Sequence, residues 1–309
     1  MRNVFVNKLF EYAKKDSNIL LLTGDLGYGL FDNFRFNLPK QFINVGIAEQ
    51  NMINIASGLS YSGKNVFVYS IIPFLLMRPF EGIRLNISYN NLPVKLLGAG
   101  GGLLYGAEGP THHAYEDIGL LRLLPNVTIF CPGDKMEIDN LLEDVINYKS
   151  PIYIRFGGNV GGSIYSTKQK FKLGKGNIVV KGKEIVIFSM GTMLKESYLA
   201  VKELNKYNIF PTLISMHTIK PLDVDLIKKY VSNSKQVYVV EDHKKTGGLF
   251  SAILENIPNV KHNATFYSLS LPDKFIADVG DNTYLYKKYG LTYDNITELI
   301  LKERGDAFE

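Results

Sequence analysis

Short, almost uninterrupted apolar runs alternate along the chain with longer stretches in which apolar positions recur every three or four residues. The runs at 19–22, 43–45, 66–69, 94–97, 127–131 and 153–155 are rich in β-branched, leucine and aromatic residues, which predicts strands. Between them, 74–88 and 134–147 carry the helical period. Strands that are apolar on both faces are those covered on both sides, so a parallel sheet between layers of helices is expected. Residues 157–176 lose all period and are rich in Gly, Ser and Lys, the composition of a linker. The alternation then restarts, with strands at 184–189, 212–215, 236–241 and 265–270 and helices at 194–207, 224–231, 248–256 and 293–302. The pattern predicts two successive three-layer α/β domains, 1–160 and 176–309, joined by 161–175.

Bulk properties narrow this picture without changing it. A chain of 309 residues has the length of two ordinary domains. Its net charge of +5 is dispersed and forms no basic block, so there is no electrostatic footprint for nucleic acid. No apolar run approaches the roughly 18 residues of a membrane span. The N-terminal stretch places Val4, Phe5, Leu9 and Tyr12 on one stripe among charges, which reads as a surface helix and not a signal peptide. A single cysteine, Cys131, offers no internal disulfide, so a reducing compartment, the cytoplasm, is expected.

Four places hold unusual residues. In NVGIAEQNMINIASGLS (44–60), Glu49 stands at the start of an apolar helix, where the dipole favours a carboxylate but the surroundings do not. GAGGGLLYGAEGPTHH (98–113) follows a predicted strand, and loops beyond the carboxyl ends of parallel strands are where ligands bind. It lacks the GxxxxGK[ST] of a phosphate loop, and the dinucleotide fingerprint is incomplete. His112 and His113 are adjacent and point to different sides, so they would not share one metal. VVEDH (239–243) puts Asp242 beside His243, either a base with its orienting partner or a polar strand end. Taken singly, Glu49 reads as a helix cap, the histidines as a solvated pair and the glycine loop equally as a turn or a ligand cradle.

The order of the motifs decides between these readings. GIAEQN, YSIIPFLLMRPFEGIR, GAEGPTHH–YED, LLPNVTIFCPGD, PIYIRFG, HTIKPLD and VVEDHKKTGG together resemble the C-terminal half of transketolase over nearly the whole chain. The resemblance implies a pyrimidine-binding domain with a parallel sheet, followed by the transketolase C-terminal domain with a mixed sheet. It also implies thiamine diphosphate and Mg²⁺. The family's GDG…N pyrophosphate domain, which holds the metal and the diphosphate, is expected on a separate N-terminal subunit. An α2β2 assembly with a homodimer of this chain at its centre would follow.

The resemblance carries roles to particular residues. Glu49 matches the glutamate that hydrogen-bonds N1′ of the cofactor's aminopyrimidine; a shielded carboxyl group can share a proton with a ring nitrogen. His112 matches a histidine near the reactive carbon, and Glu108 stands where the family has Asp, facing the donor's hydroxyl. Asp25 and Leu26 match a pair beside the thiazolium. The aromatic shelf for the pyrimidine aligns with Leu75, with Phe74 next to it.

Of the four phosphate ligands in members that act on sugar phosphates, Arg2 matches one arginine. Gly29, Gly100 and Gly157 or Gly158 stand at the other three positions, changes that remove donors and are expected to open space. The function implied is transfer of a two-carbon ketol unit from a ketose to an aldehyde, on a modified or nucleotide-linked sugar. The alternatives are a 2-oxo-acid decarboxylating or deoxyxylulose-phosphate-synthase-like subunit, or a non-catalytic assembly subunit.

Overall fold

The computed structural model describes residues 1–158, 163–165 and 169–305. The strands are β1 (Ile19–Thr23), β2 (Phe42–Asn44), β3 (Asn65–Ile71), β4 (Lys95–Ala99), β5 (Thr128–Phe130) and β6 (Ile152–Phe156). In the second half come β7 (Asn177–Val180), β8 (Ile185–Ser189), β9 (Thr212–Ser215), β10 (Thr218–Lys220), β11 (Gln236–Lys244) and β12 (Thr265–Leu271). The predicted linker 161–175 lies partly outside the described residues.

Successive side chains of a strand point to opposite faces, and β1 shows what that does here. Leu20 and Leu22 pack on one face with Met52, Ile53 and Ala56 of the helix Glu49–Tyr61. Ile19 and Leu21 pack on the other with Phe5 and Leu9 of the helix Arg2–Ala13 and Leu141 of the helix Lys135–Ile146. All five residues of β1 are buried, so the unbroken apolar run is the consequence of two covered faces.

The first sheet has seven strands in the order β10-β5-β6-β4-β3-β1-β2, and the second has five in the order β12-β11-β8-β9-β7. The first is parallel apart from β10, which runs antiparallel to β5. The second is mixed, because β7 pairs antiparallel with β9. Strand β10 belongs to the HTIKPLD motif of the C-terminal half, yet it completes the N-terminal sheet.

Behind the glycine-rich loop the two halves share a fully buried ionic cluster. Arg155, at the end of β6, donates from Nε to Asp117 (2.8 Å) and from Nη1 to Asp242 of β11 (2.6 Å), and all three side chains are at most 1% exposed. Tyr153 donates to Asp117 and Tyr286 to Asp242. Buried ions are tolerated only when they are paired and hydrogen-bonded in this way. The VVEDH motif is thus a structural strand end: Asp242 holds Arg155, Glu241 accepts from the backbone N–H groups of Leu249 and Phe250, and His243 accepts from Gly119 N–H.

Candidate active site

Apart from Arg2, which opens the helix Arg2–Ala13, the residues nominated from sequence come from the carboxyl ends of four neighbouring strands, β4, β3, β1 and β2. That is the edge of an open α/β sheet where the loops diverge and leave a crevice. Gly46, at φ +72°, turns the chain after β2, and Glu49 opens the next helix with only 4% of its surface exposed. Its Oε2 accepts from Nη1 of Arg78 at 3.0 Å. A Cβ at Gly24 would lie 3.8 Å from Glu49 Oε1, an ordinary contact distance, so the loop after β1 runs directly beside the carboxylate.

After β3 the chain enters a helical stretch, residues 73–89, that includes two segments with widened π turns, Pro73–Met77 and Ile83–Tyr89. Such turns are frequent at functional sites. Phe74 and Arg78 emerge together from the first, with the guanidinium 4.2 Å from the centre of the Phe74 ring. The His112 ring meets Phe74 edge-on at 5.1 Å, and Tyr105 meets His112 at 6.4 Å. Tyr105 Oη then accepts from Nη1 of Arg2 at 2.9 Å, and Tyr69 Oη accepts from the same nitrogen at 3.1 Å. Glu49, Arg78, Phe74, His112, Tyr105 and Arg2 therefore form one continuous line of contacts along the edge.

The loop that carries Tyr105 and His112 is pinned at its neck. Gly102 and Ala114 exchange both backbone hydrogen bonds, and Arg155 donates to the Ala114 carbonyl. Thr111 Oγ1 lies 2.9 Å from His112 Nδ1, which orients the imidazole. Glu108 is exposed at the end of the turn Gly106–Glu108. His113 is buried, and burial holds it below the ordinary histidine pKa against the opposing pull of the Gly106 and Ile276 backbone.

Asp25 and Leu26 lie in the loop after β1. Asp25 accepts from Asn44 Nδ2 (2.9 Å) and Tyr28 Oη (2.8 Å), which hold its carboxyl below the usual range. Leu75 does not join this edge: it is fully buried in the core beneath. The expectation that these glycines open space holds at Gly29, where a Cβ would meet nothing within 4 Å; it fails at Gly157 and Gly158, where a Cβ would meet Thr192 Oγ1 at 1.9 Å and Leu104 Cδ1 at 3.3 Å, and at Gly100. There a Cβ would meet the Tyr105 ring at 2.3 Å, so the vacated volume is filled by Tyr105 itself. Arg2, Gly29, Tyr69 and Tyr105 line a cleft of about 380 Å³.

Sequence reasoning missed Arg78, Tyr105 and Tyr69. For Arg78 the signal was its position four residues after Phe74 on one helical stretch; for Tyr105 it was a lone aromatic within the glycine-rich loop.

Two parallel-based sheets, with a carboxylate, an aromatic ring and a histidine at the carboxyl edge of the first, define a two-domain α/β protein. The sequence pattern of the transketolase pyrimidine-binding domain matches residues 1–159, and that of the transketolase C-terminal domain matches 174–296. The chain belongs to the transketolase family, which uses thiamine diphosphate.

It is 32% identical over 303 residues to one of the subunits of the apulose-4-phosphate transketolase of Phocaeicola vulgatus, covering 97% of this chain and 96% of that one. It is 34% identical over 306 residues to a putative transketolase C-terminal section of Methanocaldococcus jannaschii, covering 98% and 96%. A 1-deoxy-D-xylulose-5-phosphate synthase of Caldanaerobacter subterraneus is 34% identical over 303 residues, but there 97% of this chain spans only 48% of the relative. Among solved structures, a split-gene transketolase described as an inactive β4 tetramer superposes with a TM-score of 0.85 at 29% identity, covering 97% and 96%. No helix among the described residues is long and apolar enough to cross a membrane.

Proposed function

We propose that this chain is the C-terminal subunit of a split transketolase that moves a two-carbon ketol unit from a ketose to an aldehyde. The observation that carries the reading is Glu49, a carboxylate 4% exposed and next in line to an aromatic ring and a histidine at a sheet edge. These residues suit an aminopyrimidine: Glu49 offers a shielded carboxylate and Phe74 a flat apolar face. Phe74 takes the aromatic role, and Leu75 serves the core. Thiamine diphosphate, when bound, supplies the electron sink for breaking and making the carbon–carbon bond.

The chain's own groups bind and move protons. Glu49 holds a proton shared with a pyrimidine nitrogen. His112, oriented by Thr111 and half-exposed, exchanges protons with the substrate oxygens. Glu108 and Arg2 contact the sugar, Glu108 at its hydroxyls and Arg2 beyond the Tyr105 ring. Asp25 and Leu26 line the thiazolium side. Mg²⁺ and the diphosphate belong to an N-terminal partner subunit, in an α2β2 assembly built around a pair of these chains. The relatives named for apulose 4-phosphate and for 6-deoxy-6-sulfo-D-fructose (31% identity, from Clostridium sp.) support a modified sugar as substrate. The buried state of Cys131 and the absence of a second cysteine suit the cytoplasm.

The test is reconstitution with the partner subunit, thiamine diphosphate and Mg²⁺, followed by assay of ketol transfer from a ketose donor. Transfer without pyruvate consumption is expected. Pyruvate-dependent product would favour a synthase of the deoxyxylulose-phosphate type, and no turnover with any donor would favour an assembly role.

A further inference from the structure

The two groups assigned above to the aminopyrimidine are already engaged in this chain, and by one side chain. Arg78 donates to Glu49 Oε2 at 3.0 Å, and its guanidinium lies 4.2 Å from the centre of the Phe74 ring. A guanidinium is flat, delocalised and edged with N–H donors. An aminopyrimidine shares that flatness and the same N–C–N edge. Both bind by stacking on an aromatic face while hydrogen-bonding a carboxylate in the plane. We infer that Arg78 is a placeholder that competes with the aminopyrimidine for Glu49 and Phe74 and must swing out when thiamine diphosphate binds. This rests on the reading of Glu49 and Phe74 as the aminopyrimidine site.

Three further observations support a movable plug. Glu49 is nearly inaccessible while the Arg78 side chain is 52% exposed, so solvent stands next to the group that has to leave. Phe74 and Arg78 lie on the same helical stretch, four residues apart, so rotation about the arginine's own side-chain bonds suffices and the backbone need not move. Among the described residues Glu49 is the one carboxylate that pairs with Arg78. The contact also explains how a shielded carboxylate is kept in a folded chain before its ligand arrives: an unpaired buried charge is costly, and a half-exposed arginine removes that cost reversibly.

Closure by a competing side chain lowers apparent affinity in proportion to the open fraction. In the complex with the partner subunit and Mg²⁺, thiamine diphosphate binding measured by calorimetry should therefore tighten in Arg78→Met, by about three- to tenfold in dissociation constant. Arg78→Lys keeps the charge for Glu49 but loses the flat stack, and its constant should fall between the two. Equal melting temperatures and binding stoichiometry for the variants would establish that the fold is intact. A dissociation constant that is unchanged or weaker in Arg78→Met overturns the placeholder and leaves the site itself standing. No binding heat with the unaltered complex or with either variant overturns the site and the placeholder together.

Discussion

Arg155 at the end of β6 and Asp242 on β11 stand 2.6 Å apart, Nη1 to Oδ1, with both side chains closed to water. The pair joins a strand of the first sheet to a strand of the second, and the same arginine holds the neck of the loop that bears His112. Removing one partner of a buried ion pair leaves the other uncompensated. Asp242→Ala should therefore cost about 3–5 kcal/mol in urea unfolding. Asp242→Asn, which keeps an acceptor, should cost less. A loss below about 1 kcal/mol for the alanine variant would mean the cluster relaxes around Asp117 alone.

Glu49→Gln tests the proton role. Glutamine keeps the size and an acceptor for Arg78, so the melting temperature should hardly move. Turnover in the reconstituted complex should fall by on the order of a hundredfold or more, the range for losing an acid–base group. Near-normal turnover would remove Glu49 from the chemistry.

Tyr105 and Gly100 form one unit. Tyr105→Phe deletes the phenol that accepts from Arg2 and leaves the ring in place. A hydrogen bond to a charged group is worth about 1.5–3 kcal/mol, so KM for the donor should change about tenfold or more while kcat changes less. Gly100→Ala should be worse in both respects, because φ is +92° there and the new Cβ would collide with the ring at 2.3 Å. Steady-state kinetics on both variants separate the lost hydroxyl from the displaced ring.

Stability should fall as pH rises from about 6.5 to 8. Burial pushes Glu137 up to about 7 and Glu241 up to about 8, so the folded chain holds protons that the unfolded chain has released. A carboxyl raised in the fold stabilises fully below its unfolded pKa, and that contribution is lost as pH rises through the folded value. His217 works in the opposite sense at lower pH: burial depresses it to about 4, so its contribution is complete above the unfolded pKa near 6.5 and is lost as pH falls toward 4. Thermal melts should decline across 6.5–8 in the native chain; Glu137→Gln should lose the share of the decline below about 7 and keep the share that Glu241 supplies up to about 8. An equal slope in both would show that Glu137 is not the source.

Much of the architecture was legible because burial writes itself locally. Every strand expected from an apolar run formed, and the helices at 134–147, 194–207 and 293–302 agree within a few residues with Lys135–Ile146, Met193–Asn205 and Tyr293–Arg304. Strand β10 was not legible: three residues carry no period, and its partner β5 lies about 90 residues earlier, where only the packed sheet can supply the pairing. Gly100 was read as a lost side chain, since a sequence records what a position lacks and not which neighbour fills it.

The chain's own pattern determined which segments would be strands and helices, and it marked Glu49, His112 and the glycine-rich loop as places where polarity and backbone freedom exceed what a core needs. Those features depend on neighbours a few residues away. The line from Glu49 through Arg78, Phe74, His112 and Tyr105 to Arg2 was decided by tertiary structure alone. Its members are spread over more than a hundred residues; the strand order β4-β3-β1-β2, set by burying two faces of one sheet, brings the loops of the others to one edge, and the packing of the helix Arg2–Ala13 brings Arg2 to them.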